Sequence, residues 1–258
     1  MYKYLYVDAN TFFHRLDPRT KMLIVLAHYL LLALLVRQLY LMIAVAIETL
    51  VLAGLSQSLA NVMRFRLVIL VIFISSQFSF VLVSRGATPL VGPVTLEPLL
   101  QGLSTAIRAG AGIVISVVLL STTRNEEIAQ GLVRIGLPHR AVFAFSSSLR
   151  MAPYLIGMTS TVVEAQKTRG LDLDSGGPVR RLRRFLPVLV PAFLSTMRSV
   201  DQFAMAIEAR GFGYQQTRGS YLQLQLTTGD FVAMGAALVS IIVGIFIAIT
   251  GWGTAFNL

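Results

Sequence analysis

The stretch Phe231-Val-Ala-Met-Gly-Ala-Ala-Leu-Val-Ser-Ile-Ile-Val-Gly-Ile-Phe-Ile-Ala-Ile-Thr250 decides the fold class. It is twenty residues long and carries no charge. A helix of roughly 20 apolar residues crosses the hydrocarbon core while satisfying its own backbone hydrogen bonds. Working outward, four more segments read the same way: Met22–Val36, Leu39–Leu55, Leu67–Val83 and Leu103–Thr122. Only Glu48 and Arg108 bring charge into any of them. The residues thus predict an all-α polytopic membrane protein with about five transmembrane helices.

Composition agrees. The 258 residues are 55% hydrophobic and 13% charged, where a soluble domain carries about 25% charged residues. The charge is also segregated. With the N-terminus inside and five crossings, the inside segments Met1–Lys21, Ser56–Arg66 and Thr123–Asp230 hold 19 of the 22 Lys and Arg residues. Outside fall Arg37, Arg85 and Arg108, with an uncharged C-terminal tail. Positive charge is retained on the cytoplasmic side, so this orientation is expected. No apolar run precedes Arg15, Asp17, Arg19 and Lys21, so the first span is expected to act as its own insertion signal. The net charge of +10 then reflects topology and anionic lipid headgroups rather than nucleic acid, since no basic motif is interleaved with aromatics.

The long segment Thr123–Asp230 is the unusual part. Ser121-Thr-Thr123 before Glu126 and Glu127 reads as a helix N-cap followed by first-turn acids. Leu137-Pro138 breaks that helix, and a second runs from about His139 to Arg169, ended by Gly170. Pro153 inside it is expected to kink or split it. Ser175-Gly-Gly-Pro178 is a loop, after which a third helix runs to Arg210 and stops at Gly211-Phe-Gly213, with Pro187 and Pro191 bending it. Phe143, Leu149, Leu155, Ile156 and Val163, then Phe185–Leu194, are expected to expose wide apolar faces. Two readings fit: two further spans, or a pair of helices lying along the membrane surface. Arg150 and Arg198, which interrupt the runs, and Arg180, Arg181, Arg183 and Arg184 at one start favour the second.

Signatures of chemistry are missing. Cysteine is absent, which removes disulfides, thiol catalysis and cysteine-ligated metals. The only lysines, Lys3, Lys21 and Lys167, do not follow a glycine, so the chain has no phosphate-binding loop. Gly110-x-Gly112 and Gly211-x-Gly213 lack the third glycine of a dinucleotide fingerprint. His14, His28 and His139 are scattered and form no metal-ligand spacing. Glu48, alone in an apolar run, is either an ion or proton site or the partner of a polar group on another helix.

What remains is a pair of similar helix ends, Thr168-Arg169-Gly170 and Ala209-Arg210-Gly211. On spacing alone, each is either a plain cap or a docking tip. A cation favours a helix C-terminus, and Gly accepts the left-handed cap conformation. An Arg fork projecting from a helix tip also suits bidentate contact with a partner's carboxylates.

At these residues the chain resembles the transmembrane T component of energy-coupling factor (ECF) transporters, importers of vitamins and cobalt. The resemblance runs over nearly the whole length: Leu16-Asp-Pro-Arg-Thr-Lys21, Ser121-Thr-Thr123 with Glu126-Glu127, Gly136-Leu-Pro138, Leu149-Arg150 with Pro153, Gly176-Gly-Pro178 and Ala206-Ile-Glu-Ala-Arg-Gly211. It implies four membrane helices in residues 1–122, a cytosolic-side coupling domain in 123–230 (helices about 124–136, 139–170 and 178–211), and a final span in 231–258. It also implies a non-catalytic subunit of the cell membrane that binds no cofactor itself. Its partners would be two ABC-type ATPase subunits, which bind the ATP, and one substrate-binding S component. By similarity, Thr168, Arg169 and Gly170, then Ala209, Arg210 and Gly211, would dock the two ATPases. The first triplet departs from the Ala-Arg-Gly wording by Thr for Ala, which leaves the charge in place. The permease subunit of an ordinary ABC importer is the alternative, since its cytosolic loop carries an element similar to Gly136-Leu-Pro138. Such a chain would use one coupling helix rather than two Arg-Gly ends.

Overall fold

A computed structural model describes residues 6–9, 11–35, 38–83, 89–91, 94–172, 177–214 and 226–250. The Arg37 turn, Arg85, Ser175 and Gly176, Arg218 and the C-terminal tail lie outside the described residues. The chain divides into two compact units, one of residues 3–137 with 224–258, the other of residues 138–223.

The first unit contains α1 (Phe12–Arg15), α2 (Pro18–Leu34), α3 (Leu39–Leu55), α4 (Leu59–Arg64), α5 (Arg66–Val83), α6 (Leu96–Thr122), α7 (Asn125–Ile135) and α10 (Thr228–Thr250). A two-strand antiparallel ribbon, β1 (Pro89–Val91) and β2 (Val94–Thr95), leads into α6. The second unit is the helix pair α8 (His139–Thr168) and α9 (Pro178–Ala209). The chain is an all-α polytopic membrane protein.

Among the described residues three helices, α5, α6 and α10, are long and apolar enough to cross a membrane. The apolar α3 is one residue shorter than α5, and at 1.5 Å per residue its 17 residues reach only about 25 Å. Neither α8 nor α9, though longer, is among these helices. No residue of α5 is buried, and α10 buries only Asp230, Ala237 and Gly244, so both turn apolar side chains outward, as lipid-facing helices do.

The centre of the first unit is α6, against which α2, α3, α4 and α5 pack. It starts at Leu96, seven residues before the expected span, because Glu97 and Pro98 both suit a first turn. Arg108 lies within α6, more than three turns from its start, rather than in an outside loop. Small residues let the neighbours approach: a Cβ on Gly102 would lie 3.2 Å from Gln77 Cα, and one on Gly112 3.1 Å from the Tyr29 ring. Tyr29 Oη donates to Gly112 O at 3.0 Å, so the close approach also satisfies a hydroxyl within the membrane. Two apolar clusters complete the core, Leu32, Leu35, Met42, Val45 and Ala111, and Ala53, Val62, Val114, Val117 and Val118.

The Ser-Thr-Thr reading is corrected. Ser121 and Thr122 finish α6, Thr123 is extended, and Arg124 is the residue before α7. Glu127 reaches back to accept from Arg124 N at 3.2 Å, which is the half of a capping box that an Arg allows. All three hydroxyl residues are buried instead. Ser121 Oγ accepts from Asn61 Nδ2 at 2.8 Å, and Thr122 O from Lys21 Nζ at 2.8 Å. A hydroxyl run looks like a cap in sequence, but here the end of α6 is enclosed by α2 and α4; the hydroxyls of Ser121 and Thr122 are bonded there, while Thr123 Oγ1 is buried with no partner among the described residues.

In the second unit α8 continues through Pro153 and α9 through Pro187 and Pro191. Of the expected kink or split at Pro153, the split does not occur. A proline costs about 3 kcal/mol in a helix interior, and the long packing of α8 along α9 offsets that. Phe143 lies on Phe212 with ring centroids 4.2 Å apart, and Met158 Sδ lies 3.9 Å from Ser199 Oγ. One contact rises along α8 as the other falls along α9, so the pair is antiparallel. Phe143, Leu155 and Val163 are half-buried in this packing, whereas Leu149, Ile156, Phe185, Leu186, Leu189, Val190, Phe193 and Leu194 are exposed.

Candidate functional site

The ends of α8 and α9 are built alike. Arg169 caps α8 and Arg210 caps α9, with φ of −83° and −85°. Each is followed by a glycine in the left-handed region, Gly170 at φ +87° and Gly211 at φ +72°. Gly170 N donates to Lys167 O and Leu171 N to Gln166 O; Gly211 N donates to Glu208 O and Phe212 N to Ile207 O. That pair of bonds is the Schellman closure, which satisfies carbonyls a helix end leaves open. Nothing lies within 4 Å of where a Cβ on either glycine would sit. Backbone sign alone, not crowding, therefore calls for glycine at both positions.

Thr168, Arg169 and Gly170 are exposed, as are Ala209, Arg210 and Gly211. Thr168 turns its hydroxyl onto Ala165 O at 2.8 Å, so it is satisfied within its own helix. The three ion pairs formed among the described residues, Arg19–Asp17, His28–Glu48 and Arg124–Asp8, use neither Arg169 nor Arg210.

Sequence spacing could not show how far apart the tips lie. Because α8 and α9 are antiparallel and Phe212 packs on Phe143, the Arg210 end sits beside the start of α8. Arg169 is at its other end. Along a straight α8, the 26 residues from Phe143 to Arg169 span about 40 Å. Such a separation exceeds any single carboxylate pocket.

Glu48 is resolved towards pairing. Its Oε1 lies 3.7 Å from Nε2 of His28 on α2, whose Nδ1 is 2.9 Å from Ile24 O. Among the described residues no group of His, Asp and Glu could hold a metal ion.

A second set of polar residues escaped the sequence reading as a set. Asp230 is fully buried; its Oδ1 accepts from Asp17 N at 2.7 Å, and its Oδ2 accepts from Thr227 N and Thr227 Oγ1, each at 2.7 Å. Asp17 in turn accepts from Arg19 N at 2.9 Å and caps α2. The two aspartates stand 213 residues apart, and only their scarcity beside apolar spans hinted that they were needed.

The family model of the cobalt transport protein CbiQ matches residues 9–221. The energy-coupling factor transporter transmembrane protein EcfT of Thermosediminibacter oceani is 33% identical, over 94% of this chain and 97% of that protein. Its namesake in Heliobacterium modesticaldum is 31% identical, over 97% of this chain and 96% of that protein. The EcfT of Brevibacillus brevis is 30% identical, over 93% and 95% respectively.

Proposed function

The chain belongs to the CbiQ cobalt transport protein family and is a transmembrane component of an energy-coupling factor transporter, and from this premise we propose that it couples two ATPase subunits to a separate substrate-binding subunit. Arg169 and Arg210 each dock one ATPase from the cytosolic side of the cell membrane. The observation that carries this reading is the twin geometry: two identically closed helix ends, each with an exposed arginine, at opposite ends of one antiparallel pair. One partner with one groove would need one tip. Two tips about 40 Å apart suit two partners.

Mechanism follows from the helices. When ATP closes the two ATPases on each other, the tips they hold must be displaced together. Continuous helices of 30 and 32 residues carry that displacement along about 45 Å with little loss, because a helix is stiff along its axis. The exposed apolar faces of α8 and α9, with Phe185, Leu186, Leu189, Val190, Phe193 and Leu194 above all, would grip the substrate-binding subunit. That subunit selects the vitamin or metal ion carried, and this chain supplies no catalytic group.

The test is assembly. The chain is purified from its native membrane, its companions are identified by mass spectrometry, and ATP hydrolysis is measured with and without them. Two ATP-binding subunits should co-purify, and hydrolysis should require them. Turnover by the chain after every ATPase has been removed would overturn the assignment.

A further inference from the structure

The covalent chain connects the first unit to the second twice, leaving through α7 and returning in the residues before α10. Within the first unit, both connections are tied to one place, the N-terminal turn of α2 from Asp17 to Met22. On the outgoing side α7 lies so close that a Cβ on Gly131 would be 2.6 Å from Met22 Cε and 3.3 Å from Pro18 Cβ. At the α6–α7 junction, buried Lys21 donates to Thr122 O at 2.8 Å and to His14 O at 3.2 Å. On the returning side, Asp230 in the first turn of α10 holds Asp17 N and Thr227.

The charges suit the positions. A buried carboxylate is tolerated when hydrogen-bonded and placed at helix N-termini, and Asp230 faces those of both α2 and α10. A buried ammonium is tolerated at helix C-terminal carbonyls, and Lys21 meets the last one of α6. Three helix ends are thus locked through two buried side chains of opposite sign. A charge-assisted joint with buried bonds at its centre yields little under load, whereas an exposed loop would absorb it.

We propose that the Asp17–Met22 turn is the point where motion of the α8–α9 unit enters the membrane helices, with Asp230 and Lys21 as its positioning residues. The proposal rests on the docking of ATPases to Arg169 and Arg210, since that docking supplies the motion. Glue alone would need only that the helices stay together. A transmission joint must also be stiff.

The experiment uses the assembled complex and needs no transported substrate. A spin label is placed on Leu26→Cys, an exposed site on α2 in a chain without cysteine. Its spectrum is recorded before and after trapping with ATP and vanadate. The parent should show a nucleotide-dependent change. Asp230→Asn and Lys21→Met, each in that background, should retain ATPase co-purification and hydrolysis while the change shrinks more than twofold. A change within twofold of the parent in either variant, or none in the parent, overturns the proposal. Should Asp230→Asn fail to fold, Lys21→Met decides alone, because methionine keeps the stem of Lys21 and removes only its donor. Failure of ATPases to co-purify with the parent would instead refute the docking reading, before any joint variant is made.

Discussion

Reversal of Arg210 to Glu separates a docking arginine from a helix cap. Within the chain Arg210 is exposed and takes part in none of the ion pairs of the described residues, so among those residues its intramolecular role is that of a cation at a helix C-terminus. A cation at a helix C-terminus contributes about 0.3–1 kcal/mol, and reversal at most roughly doubles that loss. Removing one member of a buried charged pair at an interface costs about 2–5 kcal/mol. Since 1.4 kcal/mol is tenfold in affinity, the expected loss for ATPase binding is about 30-fold or more. The assay pairs thermal unfolding of the isolated chain in detergent with titration of labelled ATPase. Unfolding should move little and binding should collapse, with Arg210→Lys in between because charge survives without the bidentate fork. Arg169→Glu should act the same way on the second ATPase. Sites about 40 Å apart share no side-chain contact, so the two losses should add within about 0.5 kcal/mol. If both Glu variants assemble and support uptake like the parent, the docking argument is wrong and the plain cap stands. Arg218, beyond the α9 end, serves as the control, and its reversal should change neither measurement.

Gly211→Ala should weaken the α9 end by about 1–2 kcal/mol, through the left-handed backbone alone, and the weakened end should exchange its amide hydrogens faster than the parent's. Thr168→Ala, which removes a hydroxyl bonded only to Ala165 O, should leave ATPase co-purification within twofold. Glu48→Gln should keep transport within twofold in an uptake assay, since the carboxylate faces His28 and no metal-binding group surrounds it among the described residues; a tenfold loss would make it an ion or proton site. Single cysteines at Ser175 and Asn257 test the orientation in intact cells: an impermeant thiol reagent should modify the second and spare the first, and the reverse pattern refutes an inside N-terminus.

Much of this protein was legible because it depends on near neighbours. Twenty uncharged residues from Phe231 specify a membrane helix, since only a helix satisfies the backbone of a segment in lipid without strands from elsewhere in the chain. Gly170 and Gly211 mark helix ends for an equally local reason, the sign of φ. Local reading failed where distant chain supplied the partner. The hydroxyls of Ser121 to Thr123 looked like a cap until α2 and α4 buried them. Asp17 and Asp230 read as two ordinary acids beside apolar spans, and only the fold joins them across 213 residues. The separation of the two arginine tips also belongs to tertiary structure. Sequence shows two helix ends, but whether they point at one partner or two depends on α8 and α9 packing antiparallel, and that is set by contacts such as Phe143 on Phe212.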